Sequence, residues 1–467
     1  MINIFYNEWK GFLRNKTFIS STSFFIVLLS LTTYFSIVQN NKQIKSQQDA
    51  HNHTRAQWDE LDSKNAHSAA HYGTYVFKSN TILNSLDDGI NSVTGVVLRL
   101  EGHKQNDVAF SEVSQSLEVS KFGKFKPSLI FQFIIPLFLI FLTFNSYTSE
   151  ISSGRLKLLI VQGNSLFKIV FAKIISLLSF SIFLLLLSIF IQYFFSFYAL
   201  SFDEILRIGI FFFCYLAYYF IIIALTILLS IFFKNSTSAL STTIIIWLLW
   251  TVFLPKTIGN LTESLSPLPT RFELKSKMLD DRSKGIDGHN PSDKRRSQLE
   301  KVTLEKYNVD SISQLPINFS GILLQADEEY GNKVWDKHFG EVYSILKEQK
   351  RSYQLSGLIN PFASIQSLSM GTCGTDLIHH LDFLNKAEIY RRYFVKKLND
   401  EYTVVSTVGE NAYLSDNKFF KSISDFNYSS LNFLSVSYYY LFDFIFLFTW
   451  TLFLMFFLVF KTRKLIL

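Results

Sequence analysis

The apolar residues of this chain are concentrated in six runs, and each run is long enough to cross a lipid bilayer. A helix needs about 20 apolar residues to span the hydrocarbon core, whereas a surface helix of a soluble protein is apolar on one face only. Charged residues make up 18% of the chain, although a soluble protein has about 25%. The sequence therefore predicts a mainly α, polytopic membrane protein with six transmembrane helices. The runs cover approximately residues 17–38, 128–148, 169–197, 207–233, 237–256 and 436–460.

The basic residues that flank these runs predict the topology. Lys and Arg in short loops stay on the cytoplasmic side, and the flanking basic residues share one side if both termini are cytoplasmic. We expect a bacterial inner-membrane protein with an N-terminal interfacial helix over 1–16 and a last span with a short basic tail over 434–467. This placement accounts for much of the net charge of +7 without a nucleic-acid partner. The flanking residues include Lys10, Arg14, Lys16, Arg155, Lys157, Lys168, Lys461 and Arg463.

Two polar blocks, 39–126 and 257–433, interrupt the runs and are predicted to face the periplasm or the cell exterior. Between them, 127–256 holds the second to fifth spans. We expect the two blocks to join into one mixed, mostly helical extracytoplasmic domain. The predicted elements are short strands within Thr74–Phe77 and Val93–Leu100 and long helices over 322–355 and 376–399. The predicted buried stripes are Leu324, Trp335, Phe339, Val342 and Leu346 on the first helix and Phe383, Ala387, Tyr390, Phe394 and Leu398 on the second.

The chain lacks the short motifs that mark common enzyme sites. It has no GxxxxGK[ST] sequence and so cannot hold ATP in a P-loop, and it has no GxSxG, HExxH or CxxC pattern. Its two cysteines, Cys214 and Cys373, exclude a disulfide framework. We therefore predict no catalytic residue and no resident nucleotide cofactor in this chain.

All nine histidines lie in the two polar blocks. His67 and His71 are four residues apart, which places both imidazoles on one face of a helix and makes them a candidate ligand pair for a divalent metal ion. The alternative, which the sequence favours, is that these histidines pack in loops or form hydrogen bonds between parts of the domain. Spans exclude ionisable groups, so the uneven distribution of the histidines does not by itself indicate a metal.

Asp443 is an acidic residue well inside the last run, near its predicted outer end. A buried acid at that depth is costly unless it is paired or hydrated. Asp443 is therefore a candidate for the polar lining of an outer mouth. The sequence favours the other interpretation, in which its side chain reaches the membrane interface.

The segment between the second and third runs, YTSEISSGRLKLLIVQG at 147–163, is the most informative part of the chain. Glu150 comes just after the end of a run, Gly154 interrupts the helix, and a short basic amphipathic helix follows. Such a helix can lie across the membrane plane and dock into a groove on a soluble partner. The alternative is an ordinary basic cytoplasmic loop.

This segment, together with NEWKGFLRNKTF near the N-terminus and SLSMGTCGTD in the second polar block, resembles the permease subunits of ABC-2 type ATP-driven transporters. The resemblance is to a subfamily with large extracytoplasmic insertions. The coupling helix of that family has the form E-x-x-x-G-x-L-x-x-L and is followed by a lysine. Arg155 stands where the family commonly has threonine. The residues at the matching positions, in a coupling region near 150–165, are Glu150, Gly154, Leu156, Leu159 and Lys173.

The resemblance implies that a separately encoded ABC ATPase binds and hydrolyses ATP with Mg²⁺, while this chain moves a substrate across the membrane. It also implies a homodimer, or a pair with a sister permease, embedded in lipid. The sequence does not identify the substrate. One alternative is a subunit that relays the motion of the ATPase to the outer domain, which acts on an envelope partner without transport. Another is a membrane receptor or sensor that has no ATPase.

Overall fold

The computed structural model of the protein describes residues 1–103, 125–195, 200–233, 235–405 and 414–464. Parts of both predicted polar blocks (104–124 and 406–413), the end of the third run (196–197) and the last three residues of the predicted tail lie outside the described residues. The chain starts with α1 (Ile2–Arg14) and α2 (Lys16–Asp59). Asn15 separates these helices with an extended backbone, and its side chain accepts hydrogen bonds from the first amides of α2.

Six helical segments of the described chain are long and apolar enough to cross a membrane, and they overlap the six predicted runs. This confirms the mainly α, polytopic class. The first segment is the 44-residue α2, which is about 66 Å long at 1.5 Å per residue. The others are α5 to α7 (Pro127–Leu129, Ile135–Thr143, Thr148–Ser152), α9 (Leu166–Phe195), α10 (Phe202–Phe232), α11 and α12 (Ser236–Leu248, Leu254–Leu265), and α19 and α20 (Phe433–Val436, Leu441–Lys464). The short helix α8 (Arg155–Val161) follows α7.

Two of the spans contain a π-helical turn just before a proline. The turn Ile130–Ile134 precedes Pro136, and the turn Leu249–Phe253 precedes Pro255. Proline has no backbone N–H and its ring clashes with the carbonyl four residues earlier. The wider turn accommodates this clash and lets each span continue through the membrane.

The centre of the membrane bundle is α10, which packs against α6, α9, α11, α20 and a further helix, α16 (Pro361–Cys373). Its residues Tyr215, Tyr218 and Tyr219 are fully buried. A helix that is apolar around most of its circumference is expected at the centre of a bundle. Because lipid tails are as apolar as leucine, close packing rather than loss of water holds these helices together.

The remaining described elements form a polar domain, which we define as residues 60–103, 266–405 and 414–432. Its two strands, β1 (Thr74–Phe77) and β2 (Val97–Leu100), pair in an antiparallel ladder with Thr74 opposite Leu100. The end of α2 enters this domain, where Trp58 packs against Phe394 and Phe420. The helices of the domain are α3 (Ala66–Tyr72), α4 (Asn91–Thr94), α13 (Arg271–Lys284), α14 (Ser292–Tyr307), α15 (Phe319–Leu355), α16, α17 (Leu377–Val405) and α18 (Asn417–Ser422).

The helix α16 joins the polar domain to the membrane bundle. It lies between the long helices α15 and α17 in the chain, but it packs against the spans α10 and α20. All but two of its residues are buried. The polar domain therefore inserts a whole helix between the ends of two spans.

Candidate functional site

The predicted coupling region forms a helix–turn–helix at one end of the bundle. The turn between α7 and α8 places Gly154 at φ +71°. No atom lies within 4 Å of a Cβ added to Gly154, so the turn needs glycine for its backbone conformation and not for space. Leu156 is buried in the core and Leu159 is partly buried against it, and these two residues hold α8 to the bundle.

Lys173 of α9 lies between two carboxylates that come from different parts of the chain. Its Nζ donates to Glu8 Oε1 at 2.7 Å and to Glu150 Oε1 at 3.0 Å. Arg155 Nε lies 3.3 Å from the other oxygen of Glu150. The side chains of Lys173 and Glu150 are both 9% exposed. We name Glu8, Glu150, Arg155 and Lys173 the coupling cluster.

The coupling cluster brings together three of the sequence-predicted residues and adds Glu8, which the sequence reasoning did not single out. Glu8 lies on α1, where Trp9 also donates from its indole N–H to Ser179 Oγ of α9 at 3.0 Å. The amphipathic N-terminal helix with an acid among its basic residues was the available signal. A further contact joins the region to the central span, because the Tyr147 amide donates to Ser230 Oγ at 3.2 Å.

Apolar side chains on α7 and α8 point away from the bundle. Leu158 is 64% exposed and Val161 is 85% exposed, and Ile151 is also exposed. An apolar side chain at the centre of a patch with a polar rim is typical of a protein interface. The exposed face of α8 can therefore meet a partner, while its buried face is fixed by Leu156.

Asp443 is fully buried at the start of α20 and does not reach solvent. Its Oδ2 accepts hydrogen bonds from Ser367 Oγ of α16 at 2.7 Å and from Gln354 Nε2 of α15 at 2.5 Å. The favoured interpretation from the sequence, a side chain at the membrane interface, is therefore wrong. The residue instead joins the polar domain to the last span, because its Oδ2 accepts from groups of α15 and α16, while its buried Oδ1 has no partner among the described residues.

Arg207 of α10 is a second polar link to α16 that sequence reasoning missed. It donates from Nη1 to the carbonyls of Gly371 and Thr372 at 3.2 and 3.1 Å, and from Nη2 to that of Leu431 at 2.5 Å. Its Nε donates to Asp203 at 2.5 Å. These carbonyls at 371 and 372 belong to the last turn of α16, where a cation is favoured by the unpaired carbonyls and the helix dipole.

The connection between α16 and α17 holds a buried carboxylate, Asp376. Lys350 Nζ lies 3.0 Å from its Oδ2, His379 Nδ1 lies 2.7 Å from its Oδ1, and the Tyr440 hydroxyl donates to it at 2.9 Å. Although burial opposes ionisation, the charge of Lys350 and the hydrogen bond from His379 hold the pKa of Asp376 well below its usual range. The hydrogen bond from Tyr440, the residue just before α20, thus ties the polar domain to the last span in addition to packing.

The neighbouring His380 makes the stability of the polar domain dependent on pH. Burial and, to a smaller extent, the charge of Lys78 lower its pKa from 6.5 to about 4. Between those two pH values an unfolded chain takes up a proton that the folded chain does not, so stability is present above pH 6.5 and falls as the pH is lowered. We expect acidification from pH 7 to pH 4 to cost about 3 kcal/mol through this residue.

The measurement is chemical denaturation of the purified full chain at pH 7 and pH 4. The difference in unfolding free energy between the two pH values should shrink by about 3 kcal/mol in His380→Leu. The control is His53→Leu, because His53 is an exposed histidine near the end of α2. An unchanged pH dependence in His380→Leu would contradict the prediction.

The two histidines of the predicted metal pair lie on α3, and the structure brings a third to them. The ligand nitrogens of His67, His71 and His103 all lie within 4.8 Å of one another. His103 follows β2, and its backbone is in the left-handed region at φ 63°. His103 is too far from His67 and His71 in the sequence to share a helix with them, so only the fold shows that the three histidines lie together. Three imidazoles at this separation can hold a divalent transition metal.

The comparisons with known proteins agree with this architecture. The family model described as ABC-2 family transporter protein matches residues 2–291, which is more than half of the chain. The model described as Domain of unknown function (DUF3526) matches residues 271–429, which include α13 to α17. No curated protein and no solved structure matches the chain. The chain therefore belongs to the ABC-2 family of transporter membrane proteins, and it is a multi-pass member with an additional helical domain.

Proposed function

We propose that the chain is the permease subunit of an ATP-driven transporter and that a separately encoded ABC ATPase drives it through α8. The observation that carries this proposal is the coupling cluster. Lys173 bonds both Glu150 beside α8 and Glu8 on α1, so one buried cation joins the turn, the N-terminal helix and the third span. Family membership supports the ATPase partner.

The mechanism follows from how the two faces of α8 are used. Leu158 and Val161 insert into a groove on the ATPase, and Leu156 transmits any displacement of α8 to the core. The coupling cluster then carries the displacement to α1 and α9 together, because its charged groups are buried and a change in their spacing is costly. Closure of an ATPase pair would thus rock α1 and α9 as a unit, in the manner of a rigid-body transition.

The proposed topology places the coupling cluster and both termini in the cytoplasm of a bacterium and the polar domain outside the inner membrane. The basic residues around α1 and α8 support this orientation. Apolar side chains such as Phe213 and Phe448 are exposed on the spans, where lipid or a second permease copy would cover them. ATP and Mg²⁺ belong to the partner in this proposal, and the substrate is a molecule that the sequence does not identify.

Substitutions on the exposed face of α8 test the docking step. Leu158→Asp and Val161→Asp should each weaken binding of the ABC ATPase partner by about 30-fold, since truncating or charging a central interface residue costs about 2 kcal/mol or more. The measurement is co-purification from a strain that expresses both proteins, together with the ATPase activity of the complex. The chain should still fold, because both side chains already face solvent.

The matched control is Leu279→Asp. Leu279 is 67% exposed, close to the 64% of Leu158, but it lies on α13 of the polar domain. It should leave the complex unchanged. If Leu158→Asp and Val161→Asp retain the ATPase as well as Leu279→Asp does, α8 is not the docking helix.

A second function, relay of motion without transport, is favoured by the continuity of α2. This single helix begins at Lys16, next to α1, which carries Glu8 of the coupling cluster. It ends at Asp59, and its residue Trp58 packs in the polar domain. An unbroken helix moves as a rod, so motion at its inner end reaches the polar domain directly. In this alternative the polar domain would act on an envelope partner. ATP-dependent movement of the polar domain in a complex that moves no solute would support it.

A further inference from the structure

The three histidines are positioned by hydrogen bonds that fix where their protons lie. His103 Nδ1 is 2.8 Å from Glu328 Oε1, and the backbone amide of His103 donates to the same oxygen at 2.5 Å. Arg391 Nη1 donates to the other oxygen of Glu328 at 3.1 Å. Because Arg391 and the His103 amide both donate to Glu328, its carboxylate serves as the acceptor, and the Nδ1 of His103 faces it as the donor.

A chain of side-chain amides fixes the proton of His67 in the same way. The carboxylate of Glu329 accepts from Gln325 Nε2 at 2.9 Å, so the Gln325 oxygen is free to accept from Asn399 Nδ2 at 3.1 Å. Asn399 then presents its oxygen to His67 Nδ1 at 3.0 Å. Because each amide orients the next, His67 donates from Nδ1 and keeps a lone pair on Nε2.

The two remaining nitrogens face each other. His67 Nε2 and His103 Nε2 are 3.3 Å apart, and both protons are engaged elsewhere, so two lone pairs meet at hydrogen-bond distance. This contact requires a positive charge between or beside the rings. In a tetrahedral zinc site with bonds of about 2.0–2.1 Å, two ligand nitrogens are separated by about 3.3–3.4 Å. The observed separation equals an edge of that tetrahedron.

We propose that His67, His71 and His103 bind one divalent transition-metal ion of the zinc class in the polar domain. His67 and His71 lie one helical turn apart on α3, and His103 comes from the turn after β2. Glu328 and Asn399 hold the rings as carboxylate and amide partners do in known metal sites. Three imidazole nitrogens suit Zn²⁺, Co²⁺, Ni²⁺ or Cu²⁺ and not Mg²⁺ or Ca²⁺, which prefer oxygen ligands.

The site differs from a closed structural metal site in its exposure. His71 is exposed, whereas His67 and His103 are partly buried. Three protein ligands on one side of the ion leave a fourth position for water or for a ligand from solution. The metal would also join α3 to the turn at Gly102–His103, and through Glu328 and Asn399 to α15 and α17.

The test uses the full chain, purified in detergent and treated with a chelator. Titration with Co²⁺ should give visible d–d bands of a four-coordinate ion that saturate at one equivalent, and Zn²⁺ should displace them. His71→Ala and His103→Ala should each weaken binding of Co²⁺ by at least about 100-fold, since each removes a ligand. His71→Ala is the cleaner variant, because its side chain is exposed and its loss leaves the fold in place.

The matched control is His53→Ala, which removes an exposed histidine near the end of α2. It should bind Co²⁺ as the unaltered chain does. The absence of a saturable Co²⁺ band in the folded chain would overturn the proposal and indicate that His67 and His103 share a proton instead. Undiminished Co²⁺ binding in both His71→Ala and His103→Ala would also overturn it, because the ion would then lie elsewhere.

Discussion

Replacing Lys173 with methionine is expected to destabilise the protein by about 3 kcal/mol and to weaken its coupling to the ATPase. Lys173 Nζ is the partner of both Glu8 and Glu150. Methionine fills a similar volume, but it leaves two largely buried carboxylates, 9% and 22% exposed, without the ammonium that they share. Only the exposed Arg155 then stays near Glu150, at 3.3 Å. Breaking a buried ion pair by removing one partner costs about 3–5 kcal/mol, and we take the lower value because Glu8 is partly hydrated.

The measurements are the unfolding free energy of the chain and the substrate- or permease-stimulated ATPase activity of its complex. A triple variant, Lys173→Met with Glu8→Gln and Glu150→Gln, separates the two effects. It removes all three charges, so most of the lost stability should return. In the triple variant, the stimulation of ATPase activity should stay about 5- to 150-fold lower than in the complex of the unaltered chain. This range corresponds to a coupling free energy of about 1–3 kcal/mol. A stable and fully coupled Lys173→Met protein would refute the role of the cluster.

The sequence predicted the membrane architecture well because the bilayer leaves few choices. A backbone in lipid must satisfy its own hydrogen bonds, so six apolar runs of sufficient length became six helical spans. The contact between Glu150 and Lys173 joins two residues that the family motif already names together, whereas their coupling role stays a prediction. Their partner Glu8 was missed because it is 142 residues before Glu150 in the chain and 165 before Lys173.

The polar domain shows where pattern reasoning succeeds and where it fails. On α17 four of the five predicted residues, Phe383, Ala387, Phe394 and Leu398, are buried, and the fifth, Tyr390, is half-buried. On α15 the predicted stripe of Leu324, Trp335, Phe339, Val342 and Leu346 is only partly buried, so the prediction of a buried side was wrong. The buried positions of α15 include the polar residues Glu328, His338 and Gln354 instead.

The cause is that α15 packs through hydrogen bonds and ion pairs. Glu328 bonds His103 and Arg391, and Gln354 bonds Asp443. A hydrophobic period cannot report such contacts, since it treats every polar residue as exposed. For the same reason α16 was not predicted, since its Ser and Gln residues are polar although the helix is buried. Hydrophobic periodicity also gave no sign that His103 lies beside His67 and His71.

Replacing Arg207 with leucine is expected to detach α16 from the central span and to destabilise the protein by about 3 kcal/mol. The change leaves the buried carbonyl of Thr372 without its donor, and it leaves the carbonyl of Gly371 with only the Gly374 amide at 3.3 Å. Each unsatisfied buried group costs about 1–3 kcal/mol. It also removes the cation from Asp203, which continues to accept from the Phe433 amide at 2.7 Å.

The measurements are the unfolding free energy of the full chain and the rate at which protease cleaves the segment 356–376 around α16. Arg207→Lys should recover part of the stability, because its ammonium keeps the positive charge. An ammonium lacks the planar fork of the guanidinium, however, and cannot bond Asp203 and three carbonyls at once. The control Arg296→Leu, at an exposed arginine of α14, should change neither quantity. Equal protection of the segment in Arg207→Leu and Arg296→Leu would show that packing alone holds α16.

The Arg207→Lys variant also tests how motion would reach the polar domain. If α16 transmits the motion, the complex that contains this variant should hydrolyse ATP normally, while a spin-label distance between α10 and α14 loses its response to ATP. If α2 transmits it, that distance should still respond, because Trp58 and its packing against Phe394 are untouched. Transmission through α16 and transmission through α2 thus predict opposite responses of this distance to ATP, and the Arg207→Lys variant distinguishes them.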